Sequence, residues 1–139
     1  MSVLKGDIAE LAFSLAALKQ GWTVFSPLSH NTKADLVIRK GSINLAIQIK
    51  SMVSQGGGRY KMPVCSTLPS CRANAKNYGK RFKSYTSLDF DILAGYFHDR
   101  ECFILVPIKR AKERTTWNVN FKTGHNVDEN NWEVLECLK

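Results

Sequence analysis

Ala34-Asp35-Leu36-Val37-Ile38-Arg39-Lys40-Gly41-Ser42-Ile43-Asn44-Leu45-Ala46-Ile47-Gln48-Ile49-Lys50 decides how this chain is read. Two alternating runs, rich in β-branched residues, flank a two-residue joint, Gly41-Ser42. Glycine at the first loop position suits a type II′ hairpin turn. Such a turn fixes the pairing: Lys40 faces Ile43, and Asp35 lies directly opposite Gln48. Side chains alternate between faces along a strand, so Leu36, Ile38, Leu45, Ile47 and Ile49 share one side and build a core. Asp35, Val37, Ala46, Gln48 and Lys50 share the other. Directly opposed residues hold their Cβ atoms about 5 Å apart, close enough for these polar groups to converge on one small object.

Upstream, residues 3–20 read as a helix. Leu4, Ile8, Leu11, Leu15 and Leu18 recur at helical spacing, and Gly21 stands where a C-terminal cap is expected. Ala9, Ala12, Phe13, Ala16 and Ala17 make the remainder nearly apolar, so the helix is expected to be packed on more than one side. Trp22–Phe25 reads as a short strand ended by Pro27. Downstream, 52–87 reads as the least regular part, with Gly56-Gly57-Gly58, Pro63 and Pro69 as breakers and a short helix at Ser70–Tyr78. Asp89–Phe97 and Cys102–Ile108 return to strand character around His98–Glu101. Lys109–Arg114 reads as a basic surface run. The tail, with Trp117, Val119, Phe121, Trp132, Val134 and Leu135, is expected to add a strand or two or a short helix.

With 139 residues and 44% apolar content, the chain suits one domain, 1–139, with a real core. No apolar run reaches the length of a membrane span, and the N-terminus has no signal-peptide pattern, so an intracellular, cytoplasmic protein is expected. Cys65, Cys71, Cys102 and Cys137 form no C-x-x-C pair and are read as reduced thiols. The net charge is +8, and its distribution is uneven. From Leu36 to Leu88 there is no acid, while ten Lys/Arg fall there. One-signed charge over a third of the chain favours a polyanion partner over a merely basic surface. Arg59, Lys61, Arg72, Lys76, Lys80, Arg81 and Lys83, interleaved with Tyr60, Tyr78, Phe82 and Tyr85, are the candidate DNA contacts.

Glu10 on the helix, Asp35 on one strand and Gln48 and Lys50 on its partner carry the chemistry. Phosphodiester hydrolysis needs oxygen ligands for a hard cation, and a nearby lysine to orient water or neutralise developing charge. Each residue also has a plainer reading: Asp35 as a strand-end turn residue, Gln48 and Lys50 as a solvated hairpin face, Glu10 as an exposed helix residue. The order along the chain and the Asp35–Gln48 register favour the joint reading. Asp7 reads as a first-turn carboxylate. His30, His98 and His125 read as loop or surface, and Trp22 and Trp132 as core.

The stretches Lys5-Gly6-Asp7-Ile8-Ala9-Glu10, Gly21-Trp22-Thr23-Val24, Ala34-Asp35-Leu36-Val37-Ile38 and Ile47-Gln48-Ile49-Lys50-Ser51 resemble the PD-(D/E)xK nuclease superfamily. They look most like its intron-encoded homing endonucleases and archaeal-type Holliday junction resolvases. The resemblance implies an α/β, restriction-endonuclease-like core: a central mixed sheet flanked by helices. It also implies that Asp35, Gln48, Glu10 and the backbone carbonyl of Ile49 hold Mg²⁺ or Mn²⁺, that Lys50 is the motif lysine, and that Ser51 contacts phosphate. Ala34 replaces the motif proline. Gln48 replaces an acid, and its amide oxygen remains able to ligate a cation; the other reading has its NH₂ donate to Asp35 or to phosphate.

Taken together, these readings give a metal-dependent endonuclease acting on double-stranded or branched DNA. The long basic insert at 52–87 tilts the reading toward a site-specific, homing-type enzyme. Holliday junction resolution and a catalytically silent DNA-binding module are the rivals. Cutting two strands needs two active sites, so a homodimer or higher homo-oligomer is expected.

Overall fold

The computed structural model describes residues 2–29, 31–67, 82–111, 114–126 and 131–136, without side chains at 2, 65–67, 82–84 and 136. In chain order the elements are α1 (Ser2–Lys19), β1 (Thr23–Phe25), β2 (Leu36–Lys40), β3 (Ile43–Ser51), β4 (Val53–Gly56), β5 (Arg59–Pro63), β6 (Cys65–Thr67), β7 (Phe82–Ser84), β8 (Ile92–Phe97), β9 (Cys102–Pro107), α2 (Ile108–Ala111), β10 (Thr116–Asn120) and α3 (Glu133–Glu136). Five strands form a mixed sheet in the order β1-β2-β3-β8-β9, in which only β3 and β8 run parallel. A second sheet, β10-β5-β4, is antiparallel, and β6 pairs with β7.

The hairpin register is the expected one. Lys40 pairs with Ile43 and Leu36 with Ile47, and the Asp35 N–H donates to the Ile47 carbonyl at 2.7 Å, carrying the ladder one residue further. Gly41 has φ +61° and Ser42 is not in the left-handed region, as a type II′ turn requires. On one sheet face Leu36, Ile38, Leu45, Ile47 and Ile49 meet Ala9, Phe13 and Ala17 of α1 and Trp132 and Leu135 from the C-terminal segment. On the other, Leu93, Phe97, Ile104 and Val106 meet Tyr60, Met62, Trp117 and Val119 of the second sheet. The molecule is thus three layers: helix, mixed sheet, smaller sheet. Gly95 lets the two sheets close together, since a Cβ there would lie 2.7 Å from Met52 Sδ and 2.8 Å from Met62 Sδ.

Two expectations are corrected. Within the chain α1 is packed on one side and not on several: Leu4, Ile8, Leu11, Leu15 and Leu18 are 42–72% exposed, and the helix buries Ala9, Phe13 and Ala17. Small residues are used inward because the helix lies close on the sheet. The segment 52–67 is regular, not irregular; β4 and β5 pair across Gly57-Gly58, with a bulge between Ser54 and Gly56. The basic residues Lys109, Arg110 and Arg114 are exposed as expected, the first two on α2, which buries Ile108 and Ala111. The helix read at Ser70–Tyr78 lies outside the described residues. Among those described, no helix is long and apolar enough to cross a membrane.

Candidate active site

Asp35 stands just before β2, at the end where β1 also stops. Its Oδ2 accepts two hydrogen bonds, from the Ile49 N–H at 2.8 Å and from Gln48 Nε2 at 2.9 Å. Among the described residues none reaches Oδ1, which leaves that oxygen for another partner. Gln48 is buried, with 9% exposure, and its Nε2 also lies 3.4 Å from the Ile49 carbonyl. The Gln48 amide therefore turns its NH₂ to Asp35, the donor alternative of the two left open by the sequence. Lys50 lies two residues on, on the same face, with its Nζ 5.8 Å from the centre of the Tyr85 ring.

Glu10 comes from α1. It shares with Asp35 an open cavity of about 250 Å³, lined also by Ser26, Pro27, Ser29, Thr32 and Ala34. Burial, and then the charges of Asp35 and Asp7, hold the Glu10 carboxyl above its ordinary range. α1 starts at Ser2, so Asp7 falls beyond the first turn and adds to this negative field. Burial likewise raises Asp35, against the Ile49 N–H and the Lys50 charge, which lower it. Two half-buried carboxylates that each disfavour their own ionisation make a local deficit of positive charge.

Ser51 follows Lys50 on β3 but belongs to the opposite face, where it pairs with Tyr96, and here the structure adds a residue that the sequence reads as loop or surface. The Ser51 hydroxyl lies 2.8 Å from His98 Nε2. His98 packs edge-on against Tyr96, with ring centres 4.7 Å apart. Burial and the charge of Lys5 hold its imidazole below the usual range, with Asp99 pulling the other way. It was hidden because β8 joins β3 only through a long parallel crossover, whose register no local pattern records.

Of the candidate DNA contacts, Arg59 and Lys61 are exposed on β5, pointing away from buried Tyr60 and Met62. Register places Asn118 and Asn120 of β10 opposite Lys61 and Arg59. Gln55, Arg59, Asn118, Asn120, Thr123 and His125 line a groove of about 430 Å³. In sequence, residues 118–125 read as tail; the alternation Trp117-Asn118-Val119-Asn120, apolar then polar, is the available signal. Lys83 lies on β7, and Arg72, Lys76, Lys80 and Arg81 lie outside the described residues.

A helix laid on a mixed sheet, with an acid entering an antiparallel hairpin and Gln-x-Lys on its partner strand, defines a restriction-endonuclease-like nuclease core. The chain belongs to the PD-(D/E)XK endonuclease family, whose profile matches residues 2–135. It is similar to the solved structure of a bacterial homing endonuclease, I-Ssp6803I: TM-score 0.76, 27% identity, 98% of this chain and 94% of that one. It is also similar to Hjc, a Holliday junction resolvase from the archaeal hyperthermophile Archaeoglobus fulgidus: TM-score 0.52, 14% identity, 95% of this chain and 96% of that one. That second likeness shows the fold alone. No curated protein matches the chain significantly.

Proposed function

We propose that the protein is a divalent-metal-dependent DNA endonuclease of the site-specific, homing type. The observation that carries this reading is Asp35, its Oδ2 pinned by Ile49 N–H and Gln48 and its Oδ1 reached by none of the described residues, lining a small cavity with Glu10, with Lys50 on the same strand face as Gln48. The oxygen donors are two carboxylates and the Ile49 carbonyl; the Gln48 amide, which turns its NH₂ to Asp35, holds that carboxylate and is not counted among them. Among the described residues no three His, Cys, Asp or Glu side chains cluster. Few protein ligands, all hard, fit Mg²⁺ or Mn²⁺, which keep several waters of their own. Asp35 and Glu10 would hold the cation, with Ile49 and Gln48 beside them. Bound there, it would supply Lewis acidity toward phosphate oxygen and a more acidic water.

The chain's own residues do the rest. The Gln48 and Ile49 hydrogen bonds fix the Asp35 carboxylate in one orientation, so no reorganisation is needed when substrate arrives. The Lys50 ammonium neutralises charge on the phosphate and orients water. Ser51, held by His98, donates to a phosphate oxygen. The outward row of β5 and β10 meets the duplex: Arg59 and Lys61 suit guanine edges or phosphates, and Asn118 and Gln55 suit adenine edges, while the Asn120 Oδ1 is taken by the Lys122 and Thr123 N–H groups.

Support for homing-type specificity over junction resolution comes from the 27% identity to a homing endonuclease over nearly the whole of both chains. The test is a plasmid library with varied sites, incubated with Mg²⁺ beside a four-way junction. Discrete plasmid cuts that vanish in Asp35→Ala and Lys50→Ala are expected. Symmetric junction nicking with no plasmid cuts would move the assignment to resolution. Tight DNA binding with no cutting under any divalent metal would leave a silent binding module.

A further inference from the structure

Leu4, Ile8, Leu11, Leu15 and Leu18 of α1 are exposed at 55%, 42%, 72%, 55% and 57%, and together they make one unbroken apolar stripe. Their spacings, 4, 3, 4 and 3, are those of a heptad seam, the repeat that a second helix of the same repeat packs against. The opposite side of α1 is already spent on the sheet through Ala9, Phe13 and Ala17. The stripe is therefore a second face, not a misplaced core.

Its pattern is that of an interface and not of a few stray leucines. The stripe is centred on Leu11, with Leu4 and Leu18 seven residues to either side. Ala12 and Ser14 beside the centre are small, so a second helix can come close. The charged residues Lys5, Asp7 and Lys19 stand toward the ends. An apolar centre with a charged rim is the ordinary anatomy of a protein interface. Five large aliphatic side chains expose on the order of 500 Å², near the upper end of what monomers leave open. Two such faces together reach about 1,000 Å², the lower bound of a specific interface. Other parts of the chain are poor occupants. Segment 68–81 carries Arg72, Lys76, Lys80 and Arg81 and a single large aliphatic residue, Leu68; 127–130 and 137–139 carry one each, Val127 and Leu138.

We propose that this face of α1 is a two-fold seam on which a second copy of the chain docks through Leu4, Ile8, Leu11, Leu15 and Leu18, with the symmetry axis at Leu11. A self-matching stripe satisfies the isologous condition without any other partner. The seam runs along the same helix that carries Glu10, so docking would couple the position of one active-site carboxylate to assembly. The inference rests on the surface of α1 and not on the nuclease reading, and its test uses neither DNA nor metal.

Sedimentation velocity of the purified full chain at tens of micromolar, without DNA, is expected to show a dimer. Leu11→Asp should weaken association by at least about tenfold. Leu11→Ala with Leu15→Ala, which keeps good helix formers in α1, should weaken it in the same direction while circular dichroism melting stays that of a folded chain. A monomeric wild type at that concentration would overturn the seam. So would a Leu11→Asp protein that is folded and dimerises as the wild type does. Dimerisation lost on substitution, in a chain that cuts no DNA, would keep the seam and remove the nuclease assignment.

Discussion

Gln48 occupies a position where an acid is common, and its amide is half of what holds Asp35 in place. Gln48→Glu removes that donor and sets a second carboxylate against Asp35 Oδ2. Without divalent metal the variant should melt lower than wild type at neutral pH, from a lost hydrogen bond and new repulsion. Titrated Mg²⁺ should raise its melting temperature by more than it raises that of wild type; an equal rise in both would show that position 48 does not sense the cation. Glu10 tests the same field from the helix side. Its folded pKa is raised, so the charged form opposes folding, and the stability present at acid pH is lost as pH rises through that pKa. Glu10→Gln should therefore be more stable than wild type at neutral pH and equal to it in acid, seen by thermal melts across that range. The Asp35, Gln48 and Lys50 arrangement was legible because a two-residue turn fixes register and register fixes faces. His98 was not, since it enters through a crossover of about forty residues.

At the scale of elements, α1 shows what periodicity does and does not specify. The 3.6-residue pattern located the helix to within a residue at each end. It did not say which face is buried, because both faces are apolar. The close approach to the sheet selects the small-residue face, and the leucines are left outside. β4 and β5 were missed as strands because Gly56, Gly57 and Gly58, all with positive φ, read as loop when they form the bulged turn of a hairpin. Gly95 on β8 is the tightest joint between sheets. Gly95→Ala forces Met52, Met62 and Ile104 to move within a packed interior, at a cost of about 1–3 kcal/mol. Urea unfolding should show that loss with an unchanged slope, and no loss would mean that the thioethers have room to spare.

Across the whole molecule, the helix, mixed sheet and smaller sheet divide the work. The central sheet carries the residues proposed for the chemistry, at the start of β2 and on β3, and the outer sheet carries the row proposed to read DNA. Charge distribution in the sequence pointed to the outer sheet through Arg59 and Lys61 but could not supply β10, whose pairing with β5 spans more than fifty residues. Lys61→Ala should weaken binding to all duplexes alike and lower the salt slope by about one unit. Asn118→Ala should instead cost roughly 1–3 kcal/mol at one base position and leave the slope alone. Fluorescence anisotropy on matched and altered sites separates them; equal losses on every site from both variants would make the sheet a phosphate track and not a reader.

One of the two thioethers against Gly95 also makes a clock. Met62 is fully buried and Met52 nearly so, and both sulfurs lie against Gly95, where a sulfoxide oxygen would add bulk and polarity to an apolar seam. Peroxide reaches the fully buried Met62 when the outer sheet lifts from the central one. The rate at which Met62 oxidises in the native protein therefore counts separations of the layers, and each event, once oxidised, resists being reversed by closure.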